Sequence, residues 1–417
     1  MTVRSLAAAD AGINTMQTMI DTIGNNIANA NTDGYKGTVA QFSDVLTQQI
    51  NASSSAAPGL ASTNPSVTGS GDELAGITTD FSEGAISQTG VASNAAIEGS
   101  GFFVLQRAGQ TVYTRSGNFQ LDVNGVLETN DGAEVMGWAP GVPTSGLLSP
   151  IKVPSGLTVP PKETQNFTLG GNLQAGDTNP ETTTYTLFDS QGNAIPLTLT
   201  FTPGAANTWN AQASVNGTNV GAAIPMVFNS SGQLTSVNGT AVTPTSVPTS
   251  ISLSFAGLPG LQLATGTINL VVPPPGSTNA VTQYAQGQTV EVLSQDGSAS
   301  GSMESYSIGQ NGIINATFSN GQTQALGTIA LASFTNAGGL VNIGNLEYQV
   351  TAASGNANLG APGQGNAGTI MGGALEQSNV DMASQLTDLI EAQTDYQADT
   401  KVVSTTQTVL QALVTNA

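Results

Sequence analysis

Hydrophobic residues near the start of the chain recur at alternating steps of three and four, the spacing of a helix with one apolar seam. The segment 2–29 contains no proline. Gly24 and the pair Asn25-Asn26 weaken its end, and Asp33-Gly34 is a turn signal. The pattern predicts a helix over residues 1–29, about 40 Å long at roughly 1.5 Å per residue. Its predicted seam consists of Leu6, Ala9, Ile13, Met16, Ile20, Ile23 and Ile27.

The C-terminal part of the chain repeats this spacing. Ser378 fits the position of an N-cap, with Asp381 three residues later. We therefore expect a second helix from about Asn379 to Val414, roughly 50 Å long. The predicted seam consists of Met382, Leu386, Leu389, Gln393, Tyr396, Thr400, Val403, Gln407, Leu410 and Val414.

Such a seam usually packs on the core of its own domain. Here both helices lie at the ends of the sequence, and each is longer than a small β domain could cover. Isolated helices are marginally stable in water, so both require partner surfaces. Their remaining faces are polar but largely uncharged, which suits the wall of a wet channel. Those faces carry Thr15, Gln17, Thr18, Gln385, Thr387, Thr394, Gln397, Thr405, Thr406 and Thr408.

The middle of the chain has the pattern of β structure. Asn-Gly or Asp-Gly pairs separate short alternating segments, which is typical of hairpins. Proline-rich stretches near 140–161 and at 273–275 bracket a block rich in Thr, Asn and Gly. We interpret this block as a domain inserted into another domain, with the terminal helices brought together.

The predicted fold is a multidomain α+β arrangement. Two terminal helices form a coiled-coil-like inner domain, and two mainly β domains follow, the outer one inserted in the inner one. The predicted boundaries are an N-terminal helix at 1–29, an extended arm or linker at 30–75, a β domain in two parts at 76–151 and 285–370, an inserted β domain at 152–284, and a C-terminal helix at 371–417.

Composition narrows the function. The chain has 27 acidic and 7 basic side chains, a formal net charge of −20, and neither cysteine nor histidine. Thiolate chemistry, zinc–cysteine sites, disulfides and imidazole bases are therefore absent. Binding to nucleic acid or to anionic membranes requires clustered Lys and Arg, which the chain lacks. No apolar run is long enough for a membrane span.

Candidate chemistry is sparse, and we predict no catalytic, cofactor or metal site. Asp122 to Gly125 resembles part of a calcium loop but lacks the other ligands, so a plain turn is expected, as it is at Asp189 to Asn193. Gly99 to Gly101 lacks the lysine and helix of a phosphate loop. Arg115 is one of the few basic residues; it fits either a surface salt bridge or a contact with an acidic neighbour across an interface.

Several long segments resemble the bacterial flagellar rod and hook family, in the order that the family has them. SLAAADAGINTMQTMIDTIGNNIANANTDGYKG is similar to its N-terminal signature, and GALEQSNVDMASQLTDLIEAQTDYQADTKVV to its C-terminal one. IEGSGFFVL and YTRSGNFQLDVNGVLETNDGAEVMGW resemble its β domain. VEVLSQDGSASGSMESYSIGQNGIINATFSNGQ and LFDSQGNAIPLTLTF resemble the hook branch of the family. The chain departs from the usual pattern at Asn94 and at Asp399-Thr400, and the block 152–284 matches weakly.

The resemblance implies a structural subunit of the flagellar hook, which polymerises into a curved tube and transmits torque as a universal joint. Its implied partners are further copies of itself, the hook cap protein, the distal rod protein, the hook-length control protein and the hook–filament junction protein. It also implies an extracellular location reached by type III export without a cleaved signal peptide. A head-to-tail contact that does not close gives such an open filament.

The terminal helices carry the predicted subunit interface. On the N-terminal helix the interface residues are Leu6, Ile13, Met16, Ile20, Ile23, Ile27, Asn25, Asn26 and Asn29. On the C-terminal helix they are Met382, Leu386, Leu389, Tyr396, Val403, Leu410 and Val414. Arg115 is the candidate in the β domain. Two alternatives remain: a distal rod subunit of the same family, and a secreted β-rich adhesin or glycan-active enzyme.

Overall fold

The structure, a computed structural model, describes residues 2–45, 48–51, 66–69, 71–144, 146–256, 261–264 and 266–415. Of the predicted arm at 30–75, residues 46–47, 52–65 and 70 lie outside the described residues. The chain divides into two compact units. The first consists of Met1–Ser155, Tyr306–Ala316 and Gln324–Ala417, and the second of Gly156–Ser305 and Thr317–Thr323. Across the described ranges, no helix is long and apolar enough to cross a membrane.

The first unit contains both long helices, α1 at Thr2–Ala28 and α2 at Met382–Thr415. Two terminal helices with a mostly β body between them confirm the predicted fold class. A short 3₁₀ helix occupies Ala337–Gly339. The strands that lie wholly in this unit are β1 Thr38–Asp44, β2 Gln48–Asn51, β3 Ser66–Thr68, β4 Asp72–Thr79, β5 Ile86–Gln88, β6 Ala95–Glu98, β7 Phe102–Arg107, β8 Gln110–Thr114, β9 Phe119–Leu121, β10 Leu127–Thr129, β11 Glu134–Trp138, β12 Ser149–Pro150, β28 Leu331–Ser333, β29 Val341–Gly344, β30 Glu347–Gln349, β31 Asn358–Gly360, β32 Thr369–Gly372 and β33 Ala374–Glu376.

The β body of the first unit is built around strand β7. It pairs antiparallel with β8, β11 and β28, and β8 continues to β30 and β29. One core cluster contains the edge-to-face rings of Phe102, Phe334 and Tyr348, together with Trp138. Segments from the two halves of the sequence pair at β5 with β33 and at β6 with β32, so the chain returns to the helices along the path by which it left them.

The second unit holds β13 Thr158–Val159, β14 Asn166–Asn172, β15 Glu181–Phe188, β16 Ala194–Pro203, β17 Thr208–Val215, β18 Thr218–Phe228, β19 Leu234–Val237, β20 Thr240–Ala241, β21 Thr249–Ser254, β22 Thr267–Val272, β23 Val281–Thr282 and β24 Glu291–Gln295. Three strands run from one unit into the other along the chain: β25 Gly301–Ile308, β26 Ile313–Phe318 and β27 Thr323–Ile329.

The second unit has two sheets that share one core. Strands β15 to β20 form a meander in sequence order, and the other sheet has the order β21-β22-β14-β23, with β24 also paired to β14. Alternate residues of both sheets, Phe167, Phe201 and Trp209 among them, are fully or almost fully buried in a single cluster. This period-two burial is what the alternating sequence predicts. The predicted hairpin turns are present at Asn216-Gly217 and Asn238-Gly239, where all four residues have positive φ.

Candidate assembly interface

The helices α1 and α2 form an antiparallel pair, as two contacts establish. Asn26, near the end of α1, donates from Nδ2 to Gln385 Oε1 at 2.9 Å, near the start of α2. Fourteen residues earlier in α1, Gly12 faces Asp399, fourteen residues later in α2. A Cβ added to Gly12 would collide with Asp399 Oδ2 and lie 3.0 Å from its Cγ. The absence of a side chain at Gly12 therefore leaves room for the carboxyl group of Asp399.

The seam between the helices differs from the predicted one at every second predicted position of each helix, where it is displaced by one residue. In α2, the line facing α1 is Gln385, Ala392, Asp399 and Thr406, of which Ala392 is 1% exposed and Thr406 8%. The sequence pattern had placed Leu386, Gln393, Thr400 and Gln407 there. In α1, the facing line includes Gly12 and Asn26 instead of Ile13 and Ile27. The other predicted line of α1, with Ala9 and Ile23, is buried.

The helix pair covers many of its apolar side chains only in part. Leu6, Ile13, Ile20 and Ile27 of α1 are half-buried, as are Leu389, Tyr396, Val403 and Leu410 of α2. Larger fractions are exposed at the start of α2, with 42% of Met382, 47% of Leu386 and 66% of Ile390. Further along α2, on its opposite flank, Val402 is 40% and Val409 49% exposed. Val414 is 80% exposed. The α1–α2 pair thus covers one stripe of α2 and leaves apolar residues exposed on both flanks of that helix.

Asn26 connects α1, α2 and the strand that follows α1. Its side chain is 3% exposed. Besides Gln385, its Nδ2 donates to the carbonyl oxygen of Thr38 at 2.7 Å. Its Oδ1 accepts from the Thr38 amide at 2.9 Å and from the Tyr35 hydroxyl at 3.1 Å. Because every polar atom of this buried amide has a partner, the network fixes the position of β1 against the helix pair.

Strands β1 and β4 form an antiparallel sheet that packs on α1. Val39 pairs with Thr78, and Ala40 with Ile77. The Thr15 hydroxyl of α1 lies 3.0 Å from Oδ2 of Asp72, the first residue of β4. Two strands alone are seldom stable, so this sheet depends on α1 for its support. Val39, Leu74 and Ile77 are nevertheless 54%, 42% and 52% exposed, which extends the apolar surface beyond the helices.

A buried ion pair connects the segment after α1 to the segment before α2. Lys36 Nζ lies 2.6 Å from Glu376 Oε1, and both side chains are fully buried. Lys36 Nζ also donates to the carbonyl oxygen of Ser82 at 2.6 Å, and Glu376 Oε1 accepts from the Gly84 amide at 2.9 Å. Burial lowers the pKa of Lys36, and the hydrogen bond from Lys36 to Glu376 counteracts part of this effect.

Arg115 lies beside this ion pair and is 3% exposed. Its NH2 group donates to the carbonyl oxygen of Gly99 at 2.8 Å, and its NH1 group is 3.8 Å from Glu376 Oε2. The guanidinium carbon is 5.7 Å from the ring centre of Phe102, within the range of a cation–π contact. The expectation of a surface salt bridge at Arg115 is wrong, because the side chain is buried and its acidic neighbour belongs to the same chain.

Helix α2 begins later than its sequence suggests. Its N-cap is Asp381, whose Oδ1 accepts from the amides of Ala383 at 2.9 Å and Ser384 at 3.4 Å. The prediction that Ser378 is the N-cap is wrong. Its hydroxyl accepts a hydrogen bond from the Val380 amide at 3.3 Å, in the turn that precedes the helix. The intervening Asn379 is used elsewhere: its Oδ1 accepts from the Gly37 amide at 2.8 Å and its Nδ2 donates to the Asp80 carbonyl oxygen at 2.9 Å.

The segments Asp122 to Gly125 and Asp189 to Asn193 form turns that the aspartate side chains close. Asp122 Oδ1 accepts from the amides of Asn124 and Val126 at 2.9 and 2.6 Å. The hydrogen bond from the Val126 amide is the largest of the effects that lower the pKa of Asp122. Asp189 Oδ1 likewise accepts from the amides of Gln191 and Asn193. Among the described residues, no group of three or more acidic side chains is arranged to hold a metal ion.

Family models for flagellar proteins match four stretches of the chain. They are described as flagella basal body rod protein (residues 6–36), flagellar hook protein FlgE/F/G D1 domain (96–172), flagellar basal body protein FlaE D2 domain (160–298) and flagellar basal body rod FlgEFG protein C-terminal (371–416). The chain is 34% identical to the flagellar hook protein FlgE of Borreliella burgdorferi, with 99% of each chain covered. It is 31% identical to that of Escherichia coli, with 98% of this chain and 99% of the relative covered.

This chain belongs to the flagellar hook protein family. A solved structure of the Helicobacter pylori flagellar hook protein FlgE2 matches 70% of this chain and 99% of that chain, with a TM-score of 0.51 at 15% identity. At that identity the match shows a shared fold. Membership of the hook protein family confirms the predicted family and implies a structural protein that assembles into the flagellum.

Membership of the hook family is consistent with a pair of terminal helices. The roles of the individual interface residues stay predictions. Asn26 and Ile23 are buried within the subunit, at 3% and 4% exposed. Asn25 is exposed, and Asn29 is half-buried. Arg115 has its acidic neighbour within its own chain. Its role at a subunit interface stays a prediction. The sequence reasoning missed Lys36 and Glu376. The one available signal was that Lys36 is one of only seven basic residues in the chain.

The uncharged polar residues of the two helices fall into a buried group and an exposed group. Thr15 and Thr406 are buried, and Gln385 is half-buried against Asn26. For these three residues the expectation of a channel-lining role is wrong, because they lie on the inner side of the subunit. Gln17, Thr387, Thr394, Gln397, Thr405 and Thr408 are exposed. They stay candidates for a polar surface in a hook protein.

Proposed function

We propose that this chain is a structural subunit of the bacterial flagellar hook, which self-assembles into a curved helical tube around an export channel. In this role it acts as a universal joint that passes torque from rod to filament, and it is not an enzyme. The observation that carries the proposal is the set of exposed apolar residues on both flanks of α2, in a chain of the hook protein family.

The distribution of these residues supports contacts with two neighbours. Met382, Leu386 and Ile390 lie on one flank of α2, and Val402 and Val409 on the other. A monomer gains by burying such side chains, at about 25 cal/mol per Å² of apolar surface. A second copy that packs on each flank would bury them while the α1–α2 pair stays intact. Repeating the same heterologous contact produces an open helical filament.

The proposed domain division follows from the same arrangement. Residues 1–29 and 371–417 would form the inner helical layer, 76–151 with 285–370 the inner β domain, and 152–284 the inserted outer β domain. We further propose that the tube contacts the hook cap, distal rod, hook-length control and hook–filament junction proteins. The proposed location is extracellular, reached by type III export without cleavage of a signal peptide.

Assembly of the purified full chain, imaged by electron microscopy, tests this proposal. Wild-type protein should form tubes. The double substitution Leu386→Asn and Ile390→Asn should prevent tube formation, because it places amides on the apolar flank of α2. Thr387→Asn is the matched control, since Thr387 is exposed between these two positions and is already polar.

Circular dichroism and sedimentation complete the test. The double variant should sediment as a monomer and retain the β signal of the body. Tubes formed equally well by wild type and double variant would contradict the proposed role of this flank. Protein that never forms tubes under any condition, alone or on hook fragments as seeds, would contradict the proposed function itself.

A further inference from the structure

A cavity of about 610 Å³ lies beside Arg115 in the β body of the first unit. Part of its wall is aromatic, because the ring of Phe102 packs edge-to-face on Phe81, with centres 5.2 Å apart, and on Phe334 at 5.6 Å. The polar residues of the wall are Ser100, Ser333, Thr335, Asn358 and Asn366. An apolar wall with a few polar groups is the usual lining of a site for a small organic group.

Arg115 brings unused hydrogen-bonding capacity to this cavity. It is the one cation among the described residues of the lining, and it is 3% exposed. Its NH2 group donates to the Gly99 carbonyl oxygen at 2.8 Å, whereas its Nε and NH1 groups are buried and have no hydrogen-bond partner in the described part of the chain. Buried N–H groups without a partner are costly, so an anion that accepts from them gains more than it would at the surface.

The acidic neighbours of Arg115 leave this capacity unused. Glu376 Oε2 is 3.8 Å from the NH1 group, beyond hydrogen-bond distance, and Glu376 Oε1 accepts from Lys36 at 2.6 Å. Glu83 is exposed and accepts from the Gly99 amide at 3.1 Å; within the described ranges it forms no ion pair with Arg115. Two buried cations therefore share one buried carboxylate, which leaves positive charge beside the cavity.

We propose that this cavity binds an organic carboxylate, with the acid group at Arg115 and an apolar body against the phenyl rings. A guanidinium group binds a carboxylate through two parallel hydrogen bonds, and its Nε and NH1 groups form one edge that can do so. Both groups are covered in this structure, so binding requires the guanidinium to turn toward the cavity. Inorganic phosphate fits less well, because it could not use the three rings.

Two sources share this chemistry. One is a free organic acid, and the other is an aspartate or glutamate side chain of a second copy of the chain. The second source rests on the proposed function. It would be abundant in a homopolymer, since each copy carries 27 acidic side chains.

Titration of the free full-length subunit with phenylacetate, followed by ligand-observed NMR, tests the site. Phenylacetate should bind at least about tenfold more tightly than the neutral phenylacetamide, because a charged acceptor strengthens the hydrogen bonds from Arg115. Arg115→Met should weaken binding by about the same factor. Arg107→Met is the matched control, because Arg107 belongs to the same β body, pairs with Glu347 and is not part of this lining.

A second variant keeps Arg115 and fills the cavity instead. Ala337 is half-buried in the cavity wall, and Ala337→Phe should abolish the binding of phenylacetate. Circular dichroism shows whether each variant retains the β signal of the wild type. No binding of phenylacetate to the wild type, equal binding of phenylacetamide, or full binding by a folded Ala337→Phe variant would overturn the inference.

The same titration on assembled tubes distinguishes the two sources. Loss of phenylacetate binding in tubes supports the site with a neighbouring copy as the source, and unchanged binding supports it with a free acid. The measurement on the free subunit needs no assembly. Failure to form tubes would therefore refute the proposed function and leave the result on the cavity readable.

Discussion

Glu376 accepts a 2.6 Å hydrogen bond from Lys36 Nζ, and neither side chain is exposed to solvent. These two residues are 340 positions apart in the sequence. The pair joins the segment that leaves α1 to the segment that enters α2, beside the β body. The two ends of the chain are therefore held together by a contact that neither end can make alone.

Breaking this ion pair on one side should destabilise the first unit. Lys36→Met removes the nearer cation of the buried Glu376 carboxylate and leaves Arg115 NH1 at 3.8 Å, so the loss should be about 3 kcal/mol, the lower end of the range for a broken buried ion pair. Urea unfolding followed by circular dichroism would measure the free energy of unfolding. Adding Glu376→Leu should not restore the stability, because it removes the acidic neighbour of the buried Arg115. Lys152→Met is the control, since Lys152 is exposed.

Two glycines of α1 should respond in opposite ways to substitution by alanine. Gly24→Ala should raise the free energy of unfolding by about 0.5 to 1 kcal/mol, because alanine favours the helix and a Cβ there meets nothing within 4 Å. Gly12→Ala should instead lower it, by up to about 1 kcal/mol, because its Cβ collides with the carboxyl group of Asp399, which has to turn away. Thermal unfolding of both variants measures the difference. Equal effects would contradict the placement of the Asp399 carboxyl group against Gly12.

Replacing Asn26 should release the helix pair from β1. Asn26→Ala removes the partner of Gln385 and of the Thr38 backbone, and each buried group left unpaired costs about 1 to 3 kcal/mol. Hydrogen exchange should increase in β1, β4 and the start of α2. Asn25→Ala is the neighbouring control, because Asn25 is exposed and should leave exchange in these elements unchanged.

Asp189 should make the stability of the second unit depend on pH in the acidic range. Burial raises the pKa of its carboxyl group, but hydrogen bonds from Asn193 and Gln191 outweigh this and lower it overall. The stability that these bonds supply is present above the ordinary pKa of an aspartate and is lost as the pH falls through the lowered pKa. Asp189→Asn should reduce the unfolding free energy at pH 7 by more than at pH 3. Calorimetry at the two pH values checks this.

The sequence determined that this chain has two long terminal helices and a β body, because spacing and turn residues act locally. The hairpins at Asn216 and Asn238 and the positions of α1 and α2 follow from such local signals. The long family motifs at both ends likewise indicate a hook protein.

Tertiary structure decided which stripe of each helix faces its partner. α2 carries apolar residues on more than one face, so its sequence is compatible with a seam through Leu386 or through Gln385. The choice depends on α1, where Gly12 leaves room for the Asp399 side chain and Asn26 supplies a hydrogen bond to Gln385. The burial of Lys36, Glu376 and Arg115 could not be predicted from the sequence either. A charge is stable inside a protein only when distant segments of the chain bring its partner to it.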